Sequence, residues 1–137
     1  MTQNEKDLVL KDLCARLPYG VNMATGYGKG VLTSIRINDS DERLGINIDP
    51  TLIRMFSVND VKPYLFPLSS MTEEQKNDCP ISETNLNIIN SNIGYGIIEM
   101  PWRLSYLFVD WCNKNHFDYR GLIPMDLAND ATNKNIY

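Results

Sequence analysis

Two stretches carry apolar residues at helical spacing. Leu10, Leu13, Cys14 and Leu17 follow i, i+3, i+4, i+7, one face of an amphipathic helix. Asn4 offers an N-cap. Asp7 with Lys11, and Asp12 with Arg16, make i, i+4 pairs expected on the outer face. Pro18 ends this helix near Leu17, because the residue before a proline avoids helical geometry. The second stretch is stronger. Leu104, Leu107, Phe108, Trp111 and Cys112 predict a helix from Pro101 to about Asn115, with Trp111 in the core. Asn115 or His116 is expected to supply the left-handed residue that ends it. Phe117 would then fold back on the last turn.

Between these helices the period changes. Val21–Ala24, Val31–Ile37 and Leu44–Ile48 are short, partly alternating and rich in β-branched residues, as strands are. Gly26-Tyr27-Gly28-Lys29-Gly30 and Asn38-Asp39-Ser40-Asp41 are turn chemistry. Three strands with tight turns predict an antiparallel meander. Thr51–Phe56 reads as a strand or a short helical turn. Pro63 and Pro67 restrict any strand between Val58 and Leu68 to a short one or a sheet edge. Ser70-Met71-Thr72-Glu73 and Thr72-Glu73-Glu74-Gln75 both match a capping box, predicting a helix from about Thr72 to Asp78 that Pro80 closes. Residues 82–96 are rich in Ser, Asn and Gly and are expected to form a surface loop, with room for a short strand at Leu86–Ile89.

The chain has 137 residues, a length that suits one domain spanning residues 1–137 with a core needing no disulfide or metal. The net charge of −4 and scattered cations argue against nucleic-acid binding, which requires a basic face to displace counterions. Such a role would need Lys29, Arg36, Arg54 and Lys62 on one face. Cys14, Cys79 and Cys112 are odd in number and far apart, so neither a disulfide framework nor a zinc site is expected. Cys14 and Cys112 are expected as buried thiols. That cysteine usage, with a polar N-terminus, fits the cytoplasm. No apolar run reaches the length of a membrane span. No cofactor is expected.

The candidate chemistry sits just past the second helix, where His116, Asp118, Tyr119 and Arg120 follow one another closely. The only histidine could titrate near working pH if Asp118 oriented its ring. Tyr119 and Arg120 could hold an anion. The same residues could instead be structural, with His116 as a cation at a helix C-terminus, Arg120 paired to a carboxylate and Tyr119 packed. The Gly26–Gly30 run lacks the helix that a phosphate loop requires. Asp39-Ser40-Asp41-Glu42 lacks the glycine and distal glutamate of a calcium loop. Trp102, Tyr64 and Tyr106, if they surface together, would make an anchor patch for a partner.

Three blocks together resemble a family of small uncharacterised proteins from gut bacteria, often associated with phages or mobile elements. The blocks are Lys11–Val21, Val61–Glu74 and His116-Phe117-Asp118-Tyr119-Arg120-Gly121-Leu122-Ile123-Pro124. They cover about a third of the chain in the family's order. Members often carry two histidines before the last block. Here Asn115 replaces the first, which weakens a paired-histidine site. The resemblance implies a cellular context and no particular activity.

These readings converge on an α+β fold: a small, curled, mostly antiparallel sheet packed by the N-terminal helix and the C-terminal amphipathic helix. The expected role is a non-catalytic protein-binding or accessory module of phage or mobile-element origin, contacting another protein or a second copy of itself. The alternative is a hydrolase-type enzyme using His116 with Asp118 and Arg120.

Overall fold

The computed structural model is described here for residues 1–91 and 102–137. The N-terminal helix, α1, spans Gln3–Arg16. Its cap is Thr2 and not Asn4, because Thr2 and Glu5 form a reciprocal capping box. A single 3₁₀ turn, Leu17–Tyr19, and Gly20 at φ 69° swing the chain into the sheet.

β1 (Asn22–Thr25), β2 (Gly28–Asn38), β3 (Asp41–Asp49) and β4 (Leu52–Phe56) form the antiparallel meander. The two-residue connections at Gly26-Tyr27 and Asp39-Ser40 are the turns that the glycines and aspartates predict. β5 (Lys62–Pro67) pairs antiparallel with β1. It also pairs in parallel with two short strands, β6 (Phe117–Asp118) and β7 (Asn129–Asp130). The sheet is therefore mixed, mostly antiparallel and unclosed, in the order β4-β3-β2-β1-β5-β6. β5 is short but not an edge. Its prolines bracket a central stretch whose backbone does the bonding: Phe66 N–H donates to the His116 carbonyl, and Ala131 N–H donates to that of Leu65.

α2 is Glu73–Asp78, capped by Thr72 with Gln75 in the second of the two predicted registers. Residues 83–91 overturn the loop expectation. They form helix α3, Glu83–Ser91, opened by Ser82, whose hydroxyl accepts from Asn85 N–H. Leu86 and Ile89, three apart, are its buried face. The rest of the predicted loop, 92–96, lies outside the described residues, as does the expected start of the next helix at Pro101. That helix, α4, spans Trp102–Lys114. Among its described side chains Phe108, Cys112 and Asn113 are buried, whereas Leu107 is exposed and Trp111 only half-buried. The placement of the Leu104 and Trp102 side chains lies outside the described residues.

Among the described residues, buried apolar side chains gather in two clusters. Val9, Leu10 and Leu13 of α1 meet Met23, Leu32, Leu44, Ile46 and Leu65 of the sheet. Phe108 and Cys112 of α4 meet Leu86 and Ile89 of α3, with Phe117 and Tyr119. Among the described residues no helix is long and apolar enough to cross a membrane.

Register fixes the faces of the meander. Leu32, Ile46 and Arg54 lie opposite one another on the inner face. Ser34, Gly45 and Met55 do so on the outer face, which Ile53 and Arg36 share. Arg36 and Arg54 thus project from opposite faces. Lys62 is spent on Asp126 and Lys29 on the Ile136 carbonyl. The four basic residues do not form one patch.

Candidate functional site

The four signature residues are positioned by how α4 ends. His116 takes the left-handed conformation at φ 61°, an allowed role for a residue just past a helix. Its carbonyl then accepts from Phe66, which places Phe117-Asp118 beside β5. Phe117 does fold back: its ring stacks on Trp111 at 5.3 Å and 6°. The Trp111 indole N–H donates to Asp78 of α2 at 2.9 Å.

From there the side chains go separate ways. The His116 ring lies flat on Tyr137, with centroids 3.9 Å apart and planes at 10°. Tyr137 is pinned by its hydroxyl, which donates to the Tyr64 carbonyl and accepts from Asn22 N–H. Burial, reinforced by the positive charge of Arg16, lowers the His116 pKa to about 4. The ring is neutral at pH 7, and its Nδ1 is buried without a partner among the described residues. The Asp118 carboxylate turns the other way. Its two oxygens accept from the backbone N–H groups of Leu122 and Ile123, at 2.9 and 2.8 Å. Burial raises its pKa, and those two amides oppose the rise. It holds a turn and does not orient the imidazole. Tyr119 is buried within cation–π reach of both Arg120 and Arg16, at 4.8 and 5.5 Å.

The residues that organise this region lie outside the C-terminal block. Asp12 and Arg16 were expected on the outside of α1, yet both are 0% exposed. Arg16 Nε donates to Asp12 Oδ2 at 2.7 Å, and Nη2 to Oδ1 at 3.2 Å. The remaining donors of Arg16 reach the Cys112 carbonyl at 3.3 Å and the Phe117 carbonyl at 2.8 Å. Arg120 Nε bonds to the same carboxylate at 3.2 Å. The Cys112 carbonyl belongs to the last turn of α4, where carbonyls lack helical partners and a cation is favoured. Arg16 therefore fills the role expected of His116. Burial opposes its charge, but the Asp12 carboxylate more than compensates, and its pKa rises. One signal was available. Val9, Leu13 and Arg16 share a face at i, i+4 and i+7, and Asp12 lies beside it. Taking Val9 as the first apolar position rotates the buried face by one residue. That rotation brings Asp12 and Arg16 inside and leaves Cys14 exposed, which corrects its expected burial.

The arrangement is a clasp. One guanidinium ties α1, the end of α4 and β6, and one carboxylate gathers two arginines. The Cys79 and Cys112 thiols are pushed up by burial, the opposite of what a nucleophile requires. Among the described residues no group of three metal-ligating side chains is brought together. A cleft of about 460 Å³ beside Trp111 is lined by Glu74, Gln75, Asn77, Asp78 and Asn115, and by none of the four signature residues. Tyr106 is 67% exposed and Tyr64 half-buried in β5; the Trp102 side chain of the expected anchor patch lies outside the described residues. No family model, curated protein or solved structure matches the chain.

Proposed function

We propose that this chain is a non-catalytic binding module that takes an extended segment of another protein alongside β4. The observation that carries the reading is the state of that strand. β4 ends the sheet, so one row of its backbone N–H and C=O groups has no strand partner among the described residues. Leu52, Ile53 and Met55 are exposed on it, Ile53 at 58%. Natural edge strands are commonly blunted by charge, proline or a cover; this one carries a single charge, Arg54, on the inner face, and presents apolar Ile53 and Met55 on the other beside backbone groups without a strand partner among the described residues. An added strand satisfies both at once, its backbone completing the ladder and alternate side chains covering Ile53 and Met55.

The separation of His116, Asp118 and Arg120 favours this reading over a hydrolase, since each group is engaged with a different partner. The clasp of α1 and α4 about a curled sheet is part of the same reading. Three free thiols support a reducing, cytoplasmic setting, and the resemblance of the three sequence blocks supports a phage or mobile-element origin.

The test compares wild type with an Ile53→Lys/Met55→Lys double variant, two exposed changes that charge the edge without touching the core. A partner captured by wild type should be lost by the variant at unchanged melting temperature, and its binding should slow amide exchange at 52–56. Equal capture by both proteins, or protection confined to 116–120, would refute the reading.

A further inference from the structure

The cleft where β4 runs into the 57–60 turn has a volume of about 290 Å³ and is lined by Tyr27, Arg43, Arg54, Met55, Phe56, Ser57 and Asp60. The β1–β2 turn curls over to form one wall, bringing the Tyr27 ring within 6.1 Å of Phe56 at 59°. The Arg54 guanidinium lies over that ring, 4.4 Å from its centroid. Stacking fixes the plane of the guanidinium and leaves its hydrogen-bonding edge for an acceptor. Arg54 makes no hydrogen bond or ion pair with any described residue. Asp49 feels its charge, but that carboxylate is engaged by Thr51. Asp60 is in the same condition. Its backbone N–H bonds to the Ser57 carbonyl, while its carboxylate has no partner among the described residues. Arg43, in contrast, is neutralised by Asp41 at 2.9 Å.

The cleft thus holds one unspent cation on an aromatic shelf and one unspent anion, and the two are not within ion-pair distance of each other. We propose that it binds a small zwitterion of the amino-acid class. Arg54 takes the carboxylate with two parallel N–H donors. Asp60 takes the ammonium group, and Tyr27 and Phe56 cover the apolar part. The polarity decides the class. A phosphate or dicarboxylate would be repelled by Asp60, and a simple cation by Arg54. The size agrees, since drug-sized ligands occupy roughly 300–1,000 Å³ and this cleft lies just below that range. A free amino acid or a dipeptide is the fitting occupant. The inference does not use the backbone edge of β4 and stands or falls apart from the docking reading.

The experiment is titration of the full chain by calorimetry and by NMR shifts of Tyr27 and Phe56. The probes are L-leucine, L-methionine, L-phenylalanine and dileucine, each with its N-acetyl and carboxamide derivative, and inorganic phosphate. At least one free zwitterion should bind, with either blocked derivative about tenfold or more weaker, the size expected for losing one charged hydrogen-bonding partner. Arg54→Gln and Asp60→Asn should each weaken binding by about tenfold or more without changing the melting temperature, Arg54→Lys should recover part of the loss, and Arg43→Gln should change little. Absence of shifts with every free zwitterion, equal binding of blocked derivatives, or tighter binding of phosphate than of any zwitterion would overturn the proposal.

Discussion

Replacing Asp12 with alanine strands a guanidinium that has no route to water. Arg16 is fully buried; its Nε and one Nη contact to Asp12 vanish, and only the Cys112 and Phe117 carbonyls remain. Removing one partner of a buried pair costs about 3–5 kcal/mol. The two surviving carbonyl bonds argue for the lower part of that range, about 3 kcal/mol, while the simultaneous loss of the Arg120 contact prevents a smaller value. Against a total stability of roughly 5–15 kcal/mol, such a loss is large. With a urea dependence of about 1–3 kcal/mol per molar, the unfolding midpoint should fall by about 1–3 M. The paired variant Asp12→Leu/Arg16→Met removes both buried charges, and its cost should be well below the sum of the two single changes, because the one charge left without its partner, Arg120, reaches solvent. Urea unfolding followed by circular dichroism measures five proteins: wild type, Asp12→Ala, Asp12→Leu, Arg16→Met and the paired variant. A loss below about 1 kcal/mol for Asp12→Ala, the range of exposed pairs, would refute the reasoning, as would additive single variants.

Gly30→Ala places a Cβ 2.7 Å from the Asn47 carbonyl oxygen and Ile46 Cγ2; the backbone oxygen cannot swing aside, so urea unfolding should show a loss of about 1–3 kcal/mol. Of the three thiols, exposed Cys14 should react promptly with a disulfide reagent in the native state, and buried Cys79 and Cys112 only slowly or on unfolding; uniform fast reaction would contradict the burial. His116 is a base whose folded pKa, about 4, lies below its ordinary 6.5, so below pH 6.5 the unfolded chain takes up the proton first. The contribution from this residue is full above pH 6.5 and is lost as pH falls towards 4. At about 1.4 kcal/mol per pKa unit, reduced for a ring that still touches solvent, the loss should be roughly 1–2 kcal/mol. It should be missing from His116→Asn, whose side chain accepts the left-handed backbone, when unfolding is measured at pH 4 and pH 7. Asp118, with its pKa raised, slopes the opposite way in both proteins and cancels in the comparison.

The meander was legible because its turns are spelled out by Gly26, Gly28, Asp39 and Asp41, and its strands by alternation. α1 and α4 were legible from spacing, though the face of α1 was set one residue off. α3 was not, since Asn85, Asn87 and Asn90 are weak helix formers. Its apolar partners, Phe108 and Cys112, lie some twenty residues away in sequence; burial decides the matter where local propensity does not. The interior position of β5 was hidden because proline rules speak of single residues, while Tyr64, Leu65 and Phe66 between the prolines make the bonds. At the candidate site, closeness along the chain suggested a grouping that the structure does not make. The neighbours of His116 in the chain diverge in space, and Arg16, whose carbonyl partners are 96 and 101 positions away, is the residue that joins them.

Titration of the lone imidazole by NMR puts this structural account of the C-terminal block to its most direct test. The account predicts that His116 stays neutral down to a pKa of about 4, with ring-current shifts from Tyr137 persisting throughout and the value unchanged in Asp118→Asn. A pKa at or above 6.5 that falls when Asp118 is removed would show an imidazole–carboxylate couple and contradict it.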